Sequence, residues 1–142
     1  MNTVYQKQKS ILIVEDDLDQ AKMYREYLEN QGFNVTCFSN SHDALENFKI
    51  DINFYDLVLT DFRLEEINGI EFAKEIRKIR GYTIFIVLIT GYFMDRTLRE
   101  REIVDVINKV IVKPFSLKDL RKIIHHYMNS SRIFPSYPSA EL

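Results

Sequence analysis

One cysteine, Cys37, stands in a chain of 142 residues. It has no partner for an internal disulfide, and a thiolate metal cluster has no ligands. No apolar run approaches the ~20 residues that span a bilayer, and no secretory leader is visible at the start. These absences predict a cytoplasmic protein with no membrane contact. The net charge of -2 excludes the basic footprint of a direct nucleic-acid binder, and no basic recognition helix is visible. What is present is ordinary for a globule: 46% hydrophobic and 28% charged residues, in a length that suits one domain.

Five apolar runs punctuate the chain. Ile11–Val14, inside Ser10–Glu15, is unbroken, as a strand buried on both faces should be. Leu57-Val58-Leu59-Thr60-Asp61 has the same character and ends in a carboxylate. Thr83–Thr90 is the strongest run, rich in β-branched residues and expected at the centre of a sheet. Val35–Phe38 is short and mixed, which suits an edge, and Val110–Val112 is closed by Pro114, which cannot donate to a ladder.

Between the strands fall helical patterns. The first runs over about 19–31, capped by Asp17 or Asp19 and ended by Gly32. The second carries Ala44, Leu45 and Phe48, and the third follows Gly69 with Ile70, Phe72, Ala73 and Ile76 inward. The fourth follows a cap at Asp95 and is almost wholly charged up to Glu102. The fifth begins at Ser116, with Asp119 three residues on as a capping box.

Strict alternation of strand and helix predicts an α/β domain: a doubly wound five-stranded parallel sheet with five helices and right-handed crossovers. The flavodoxin-like order 2-1-3-4-5 puts the mixed second strand at an edge. Residues 1–9 are polar and read as a flexible N-terminus, residues 10–129 as the domain. Residues 130–142, rich in Ser and Pro, read as a tail or the start of a linker. Phe134 and Tyr137 in that tail are candidates for a partner contact.

Ligands in such sheets bind outside the carboxyl ends of the strands. In the expected order Asp16, Asp17 and Asp61 converge there. Carboxylates this close do not all ionise cheaply without a counter-ion. Mg²⁺, bound through a few carboxylates, phosphate and water, resolves the conflict. Asp61 then reads as a nucleophile that accepts a phosphoryl group. Lys113 would pair with Asp61 and then with a phosphoryl oxygen, and Thr90 would offer its hydroxyl. Neither histidine nor cysteine joins the group, so a thiol or zinc-hydrolase mechanism has no players.

With these residues assembled, the stretch from about Ser10 to Met128 resembles a receiver domain of two-component response regulators. The acid pair Asp16-Asp17, Asp61, Gly69, the Thr90-Gly91 pair and Lys113-Pro114-Phe115 occur in that family's order and near its spacing. The resemblance implies Mg²⁺ held by Asp16, Asp17, Asp61 and the backbone carbonyl of Arg63. It implies phosphotransfer to Asp61 from a histidine kinase or a histidine phosphotransfer protein, read out by Thr90 and Lys113. The response would be a shift in the surface of the fourth helix, fifth strand and fifth helix, which is also the candidate homodimer face. The output would be a downstream protein or an output domain missing from this sequence.

Three departures from the family pattern stand out. Glu65, followed by Glu66, replaces a frequent proline and makes the loop after Asp61 more acidic. Val110 occupies the place of a frequent aromatic switch residue and has no ring to swing. The stretch between Thr90 and Lys113 is strongly charged, with Arg96, Arg99 and Arg101 as a partner-facing patch or a face laced by Glu100 and Glu102. Arg63 is placed to modulate phosphate lifetime, or to pair with Glu65 or Glu66. Two other functions compete: a Mg²⁺-dependent phosphohydrolase with an aspartate nucleophile, and a receiver that binds partners without phosphorylation. The first lacks its usual second acid, because Arg63 stands two residues after Asp61. The intact acids and lysine argue against the second. The protein is thus expected to be a switch rather than an enzyme.

Overall fold

The computed structural model describes residues 8–91 and 100–129, with side chains in the second stretch from Ile103 onward. Most of the N-terminal segment, the Asp95 cap, Arg96 and Arg99, the Arg101 side chain, and the 130–142 tail with Phe134 and Tyr137 lie outside the described residues. The elements in order are β1 (Ser10–Val14), α1 (Leu18–Asn30), β2 (Asn34–Phe38), α2 (Ser41–Ile50) and β3 (Leu57–Asp61). They continue with α3 (Gly69–Arg80), β4 (Phe85–Thr90), α4 (Glu100–Val106), β5 (Lys109–Val112) and α5 (Leu117–Met128). All strand pairs are parallel, in the order β2-β1-β3-β4-β5. The expected topology is the observed one.

The apolar runs sort as their composition demands. Every residue of β1, β3 and β4 is buried, whereas β2 and β5 form the edges and are only partly buried. Side chains alternate between the two faces of each strand, so each run feeds two cores. One layer joins Ile11, Ile13, Leu57, Leu59, Val87 and Ile89 to Tyr24 and Leu28 of α1 and to Leu120 and Ile124 of α5. The opposite layer joins Leu12, Val14, Val58, Ile86 and Leu88 to residues of α2, α3 and α4. Each fully buried Leu or Ile contributes about 1.5–3 kcal/mol from apolar transfer, which offsets the entropy of ordering the chain.

Local signals set the helix ends. The Asp17 side chain accepts from the backbone N–H of Asp19 and Gln20 and starts α1. Gly32, at φ +94°, follows its end, in the left-handed region that glycine enters without penalty. Asn68 forms a full capping box with Glu71 at the start of α3, and Ser116 accepts from Asp119 N–H at α5. The C-terminal end of α4 is tied to the rest by Arg77. Its guanidinium donates to the carbonyls of Val106 and Ile84 and to Asn108 Oδ1, at 2.6–2.9 Å. In α4, Ile103 and Val106 face the core while Val104 is half exposed.

Gly69 marks the tightest approach in the fold. A Cβ there would overlap the backbone carbonyl oxygen of Asp61 and lie 2.8 Å from Leu88 Cδ1. At Gly91 a Cβ would meet nothing within 4 Å. Gly69→Ala should therefore destabilise the fold by about 1–3 kcal/mol, the usual cost of overpacking. Gly91→Ala should change stability by less than about 0.5 kcal/mol. Urea unfolding midpoints of the two variants check the contrast.

Candidate functional site

The site forms where β1, β3, β4 and β5 end. Backbone hydrogen bonds carry the ladders one step past the strands. Glu15 N donates to Phe38 O at 3.0 Å, Phe62 N to Ile89 O at 2.7 Å, and Lys113 N to Thr90 O at 2.9 Å. Gly69 N donates to Phe62 O at 2.7 Å, which anchors the far end of the loop after Asp61. Each polar residue is thus positioned by rigid sheet rather than by a free loop. The peptide between Lys113 and Pro114 is cis.

Strand alternation decides which side chains meet. Ile13 pairs with Leu59 in the β1–β3 register and Val14 with Thr60. One step further puts Glu15 beside Asp61. Both continue the face that packs on α1 and α5, and Lys113, two residues beyond buried Ile111, continues it on β5. Glu15 is 2% exposed and Asp61 9%. Lys113 Nζ lies 3.7 Å from Glu15 Oε1 and 3.8 Å from Asp61 Oδ1. Its direct hydrogen bond, at 2.9 Å, goes instead to Gln20 Oε1 on α1.

Glu15, Asp16 and Asp61 bring one carboxylate oxygen each to within 4.8 Å of one another. This group differs in one member from the expected convergence of Asp16, Asp17 and Asp61. Asp17 is the N-cap of α1, its carboxylate bonded to the first-turn amides at 3.0 and 3.1 Å, and Glu15 takes its place beside Asp16. The expected Asp16–Asp61 proximity is observed. Arg63, Glu65 and Glu66 are exposed in the loop between β3 and α3. Thr90 is buried, and its Oγ1 has no hydrogen-bond partner among the described residues. Thr90 shares the strand parity of Ile86 and Leu88, so it belongs to the layer opposite Lys113. Val110 lies across from Leu88 in the β4–β5 register and packs, partly buried, against that same layer.

Two residues of this site escape a reading by motif. Glu15 is the first of three consecutive acids; it shares its parity with Asp17, and only its place directly after β1, one register step past Val14 and Thr60, sets it apart from the acid that caps α1. Gln20 carries no motif at all, since its partner Lys113 is 93 residues away.

The electrostatics follow from burial. Desolvation raises the Glu15 carboxyl to about 7, with Asp61 adding to the shift and Lys113 opposing it. Desolvation also raises Asp61, against the pull of Lys113. Three carboxylates face one ammonium here. With all ionised, the excess is two negative charges, the charge of one divalent cation. The donors are all oxygen, and Glu15 Oε1 is buried without a hydrogen-bond partner among the described residues. A hard cation such as Mg²⁺ fits this donor set.

A parallel sheet of this order, with a buried carboxylate at the end of its central strand and an acid cluster beside it, defines a flavodoxin-like domain with an acidic site at its carboxyl edge. The comparisons narrow that class. A family model described as the response regulator receiver domain matches residues 11–125. The response regulator receiver protein CpdR of Brucella abortus (strain 2308) is 36% identical over 112 residues, covering 79% of this chain and 90% of that protein. The chain belongs to the response regulator receiver domain family.

Two other curated relatives are longer. The chain spans 37% of the CpxR homolog of Haemophilus influenzae, at 34% identity over 62% of this chain. It spans 58% of CrdR of Helicobacter pylori, at 28% identity over 89% of this chain. Among solved structures, a CheY-like receiver domain protein of Methanospirillum hungatei JF-1 superposes with a TM-score of 0.72 at 27% identity. That match covers 84% of this chain and 93% of the other. Receiver domains act in two-component signalling, interact with histidine kinases or phosphotransfer proteins, and typically bind Mg²⁺ at an acidic cluster. Glu15, Asp16 and Asp61 form such a group in this chain. Among the described residues no helix is long and apolar enough to cross a membrane.

Burial of Glu15 gives a pH signature. The folded protein holds the proton up to about pH 7, the unfolded chain only to its ordinary value of 4.5. Between those pH values the folded state binds more protons, so stability falls as pH rises and is level above the window. Without divalent cation, the stability of Glu15→Gln relative to wild type should rise by about 1–3 kcal/mol from pH 4.5 to pH 8. Urea titrations at the two pH values measure it. Saturating Mg²⁺ should raise wild-type stability more at pH 8 than at pH 5, because it binds the ionised cluster.

Proposed function

We propose that this domain is a phosphorylation-dependent switch of two-component signal transduction, with Asp61 as the phosphoacceptor. The observation that carries the reading is the setting of Asp61: a buried carboxylate beside two further acids, with the Lys113 ammonium close to it and to Glu15. Its donor is a histidine kinase or a histidine phosphotransfer protein. The metal ligands are Asp16 and Asp61 with the backbone carbonyl of Arg63, and Glu15 completes the acid group in the place expected of Asp17. A bound Mg²⁺ supplies charge neutralisation for the phosphoryl group in transit. The chain's own residues do the rest. Asp61 offers a carboxylate oxygen as nucleophile. Lys113 receives one phosphoryl oxygen, and the hydroxyl of Thr90, unpartnered among the described residues, donates to another.

The unit that does this spans residues 10–129. We place it in the cytoplasm, with neither membrane nor direct nucleic-acid contact. The domain is not an enzyme that turns over a separate substrate. A phosphohydrolase would need a second acid beside the nucleophile, and the residue two positions on is exposed Arg63. Arg63 and Glu65, exposed in the loop that follows Asp61, are the candidates to modulate phosphate lifetime. The response passes to a downstream protein or an output domain through the surface of α4, β5 and α5, which is also the candidate homodimer face. Val110 cannot relay the change by swinging a ring, so Thr90 carries that coupling.

Incubation with phosphoramidate and Mg²⁺ tests the reading by intact-mass spectrometry. Wild type should take up one hydroxylamine-sensitive phosphoryl group, and Asp61→Asn should take up none. An adduct that persists in Asp61→Asn would falsify the assignment. Repeated release of phosphate without a stable adduct would favour the phosphohydrolase. Unaltered stability in millimolar Mg²⁺ would favour the phosphorylation-independent receiver. Lys113→Ala should keep its Mg²⁺-induced thermal stabilisation yet lose most of the partner or dimerisation response to beryllofluoride, measured by analytical ultracentrifugation.

A further inference from the structure

We propose that Gln20 is a positioning residue that holds the Lys113 ammonium off Asp61 and competes with the phosphoryl group for it. The inference rests on the reading of Asp61 and Lys113 given above. Lys113 Nζ faces two buried carboxylates with opposite charge, yet its shortest polar contact among the described residues is neutral. Gln20 Oε1 accepts from it at 2.9 Å, while Glu15 Oε1 and Asp61 Oδ1 stand at 3.7 and 3.8 Å. Those two distances are too long for direct hydrogen bonds.

Gln20 is itself held. It lies in the first turn of α1, and its backbone N–H is fixed by the Asp17 cap at 3.1 Å. Its Oε1 also lies 3.5 Å from the hydroxyl of Tyr24, whose ring stacks on Phe115 with centroids 5.9 Å apart. Phe115 follows Lys113 by two residues. Helix α1 and the segment after β5 thus grip the lysine from two sides, and Lys113 remains only partly exposed.

Two consequences for the chemistry follow. Before reaction, the restraint leaves Asp61 without a direct lysine bond on its nucleophilic oxygen. A carboxylate tied to an ammonium at hydrogen-bond distance is a poorer nucleophile, so Gln20 favours attack. After reaction, Lys113 must leave Gln20 to bind a phosphoryl oxygen, so Gln20 weakens the hold on the adduct. One residue therefore speeds formation and shortens lifetime.

The test uses the full chain with phosphoramidate and Mg²⁺. The Asp61 carboxylate oxygen attacks phosphorus as the P–N bond breaks, and ammonia leaves with the proton it needs. In decay, water attacks phosphorus, the P–O bond to Asp61 breaks, and inorganic phosphate and the carboxylate return. Gln20→Met keeps the length of the side chain and removes the acceptor. Gln20→Glu keeps an acceptor and binds the ammonium more strongly.

Gln20→Met should form the adduct about threefold or more slowly and lose it about threefold or more slowly, the scale expected for one hydrogen bond to a charged group. Gln20→Glu should shorten the lifetime. General loosening of the fold would shorten the lifetime in both variants, so opposite signs mark positioning. A second measurement is the NMR signal of the Lys113 side chain, which should shift in Gln20→Met before any donor is added. Lifetimes that move in the same direction, or do not move, overturn the role of Gln20 even if wild type is labelled on Asp61. Failure of wild type to take up a phosphoryl group on Asp61 overturns the underlying reading instead, and the role of Gln20 with it.

Discussion

One cation serving two buried carboxylates is the constraint on which the functional end of this molecule depends. Glu15 and Asp61 sit at the mouths of strands buried on both faces, where water is scarce and ionisation is costly. Lys113 is close enough to both to lower that cost and too far to form a tight pair with either. At an effective dielectric near 20, charges about 4 Å apart attract by roughly 4 kcal/mol. A charge that arrives at Asp61 therefore changes the balance of the whole group. The same apolar strands that stabilise the domain make its polar edge sensitive.

The architecture fixes the backbone beneath this arrangement. The ladder bonds that run past the strand ends fix the backbones of Glu15, Phe62 and Lys113. Gly69 lets the start of α3 come against the carbonyl of Asp61, and the Asn68 capping box fixes the turn from which it starts. At the other end of the sheet, ahead of β4 and β5, Arg77 ties α3 to the end of α4 and to Asn108. The exposed loop with Arg63, Glu65 and Glu66 follows directly from Asp61.

Much of this is legible in the sequence, for reasons that differ by element. Unbroken apolar runs identify β1, β3 and β4 because double burial tolerates no polar side chain until the strand ends. The mixed composition of β2 marks an edge, and that edge is observed. Asp61, Thr90 and Lys113 are legible because each ends such a run. The choice among Glu15, Asp16 and Asp17 is not settled by composition. All three are acids, and only the register against β3 separates the one that faces the site from the one that caps α1. Gln20 is hidden for another reason. Its contact with Lys113 exists only after α1 has packed across the sheet, and no local pattern encodes it. The α4 region reads as a charged segment with apolar residues late in it, and Ile103 and Val106 are the ones that bury.

The opposed parities of Thr90 and Lys113 carry a last implication. A ligand at the strand ends would be touched by one group rooted above the sheet and another rooted below it. Displacement of Thr90 is felt by the layer of α2, α3 and α4, and displacement of Lys113 by the layer of α1 and α5. Two residues of opposite parity thus join one site at the strand ends to both packed layers of the sheet.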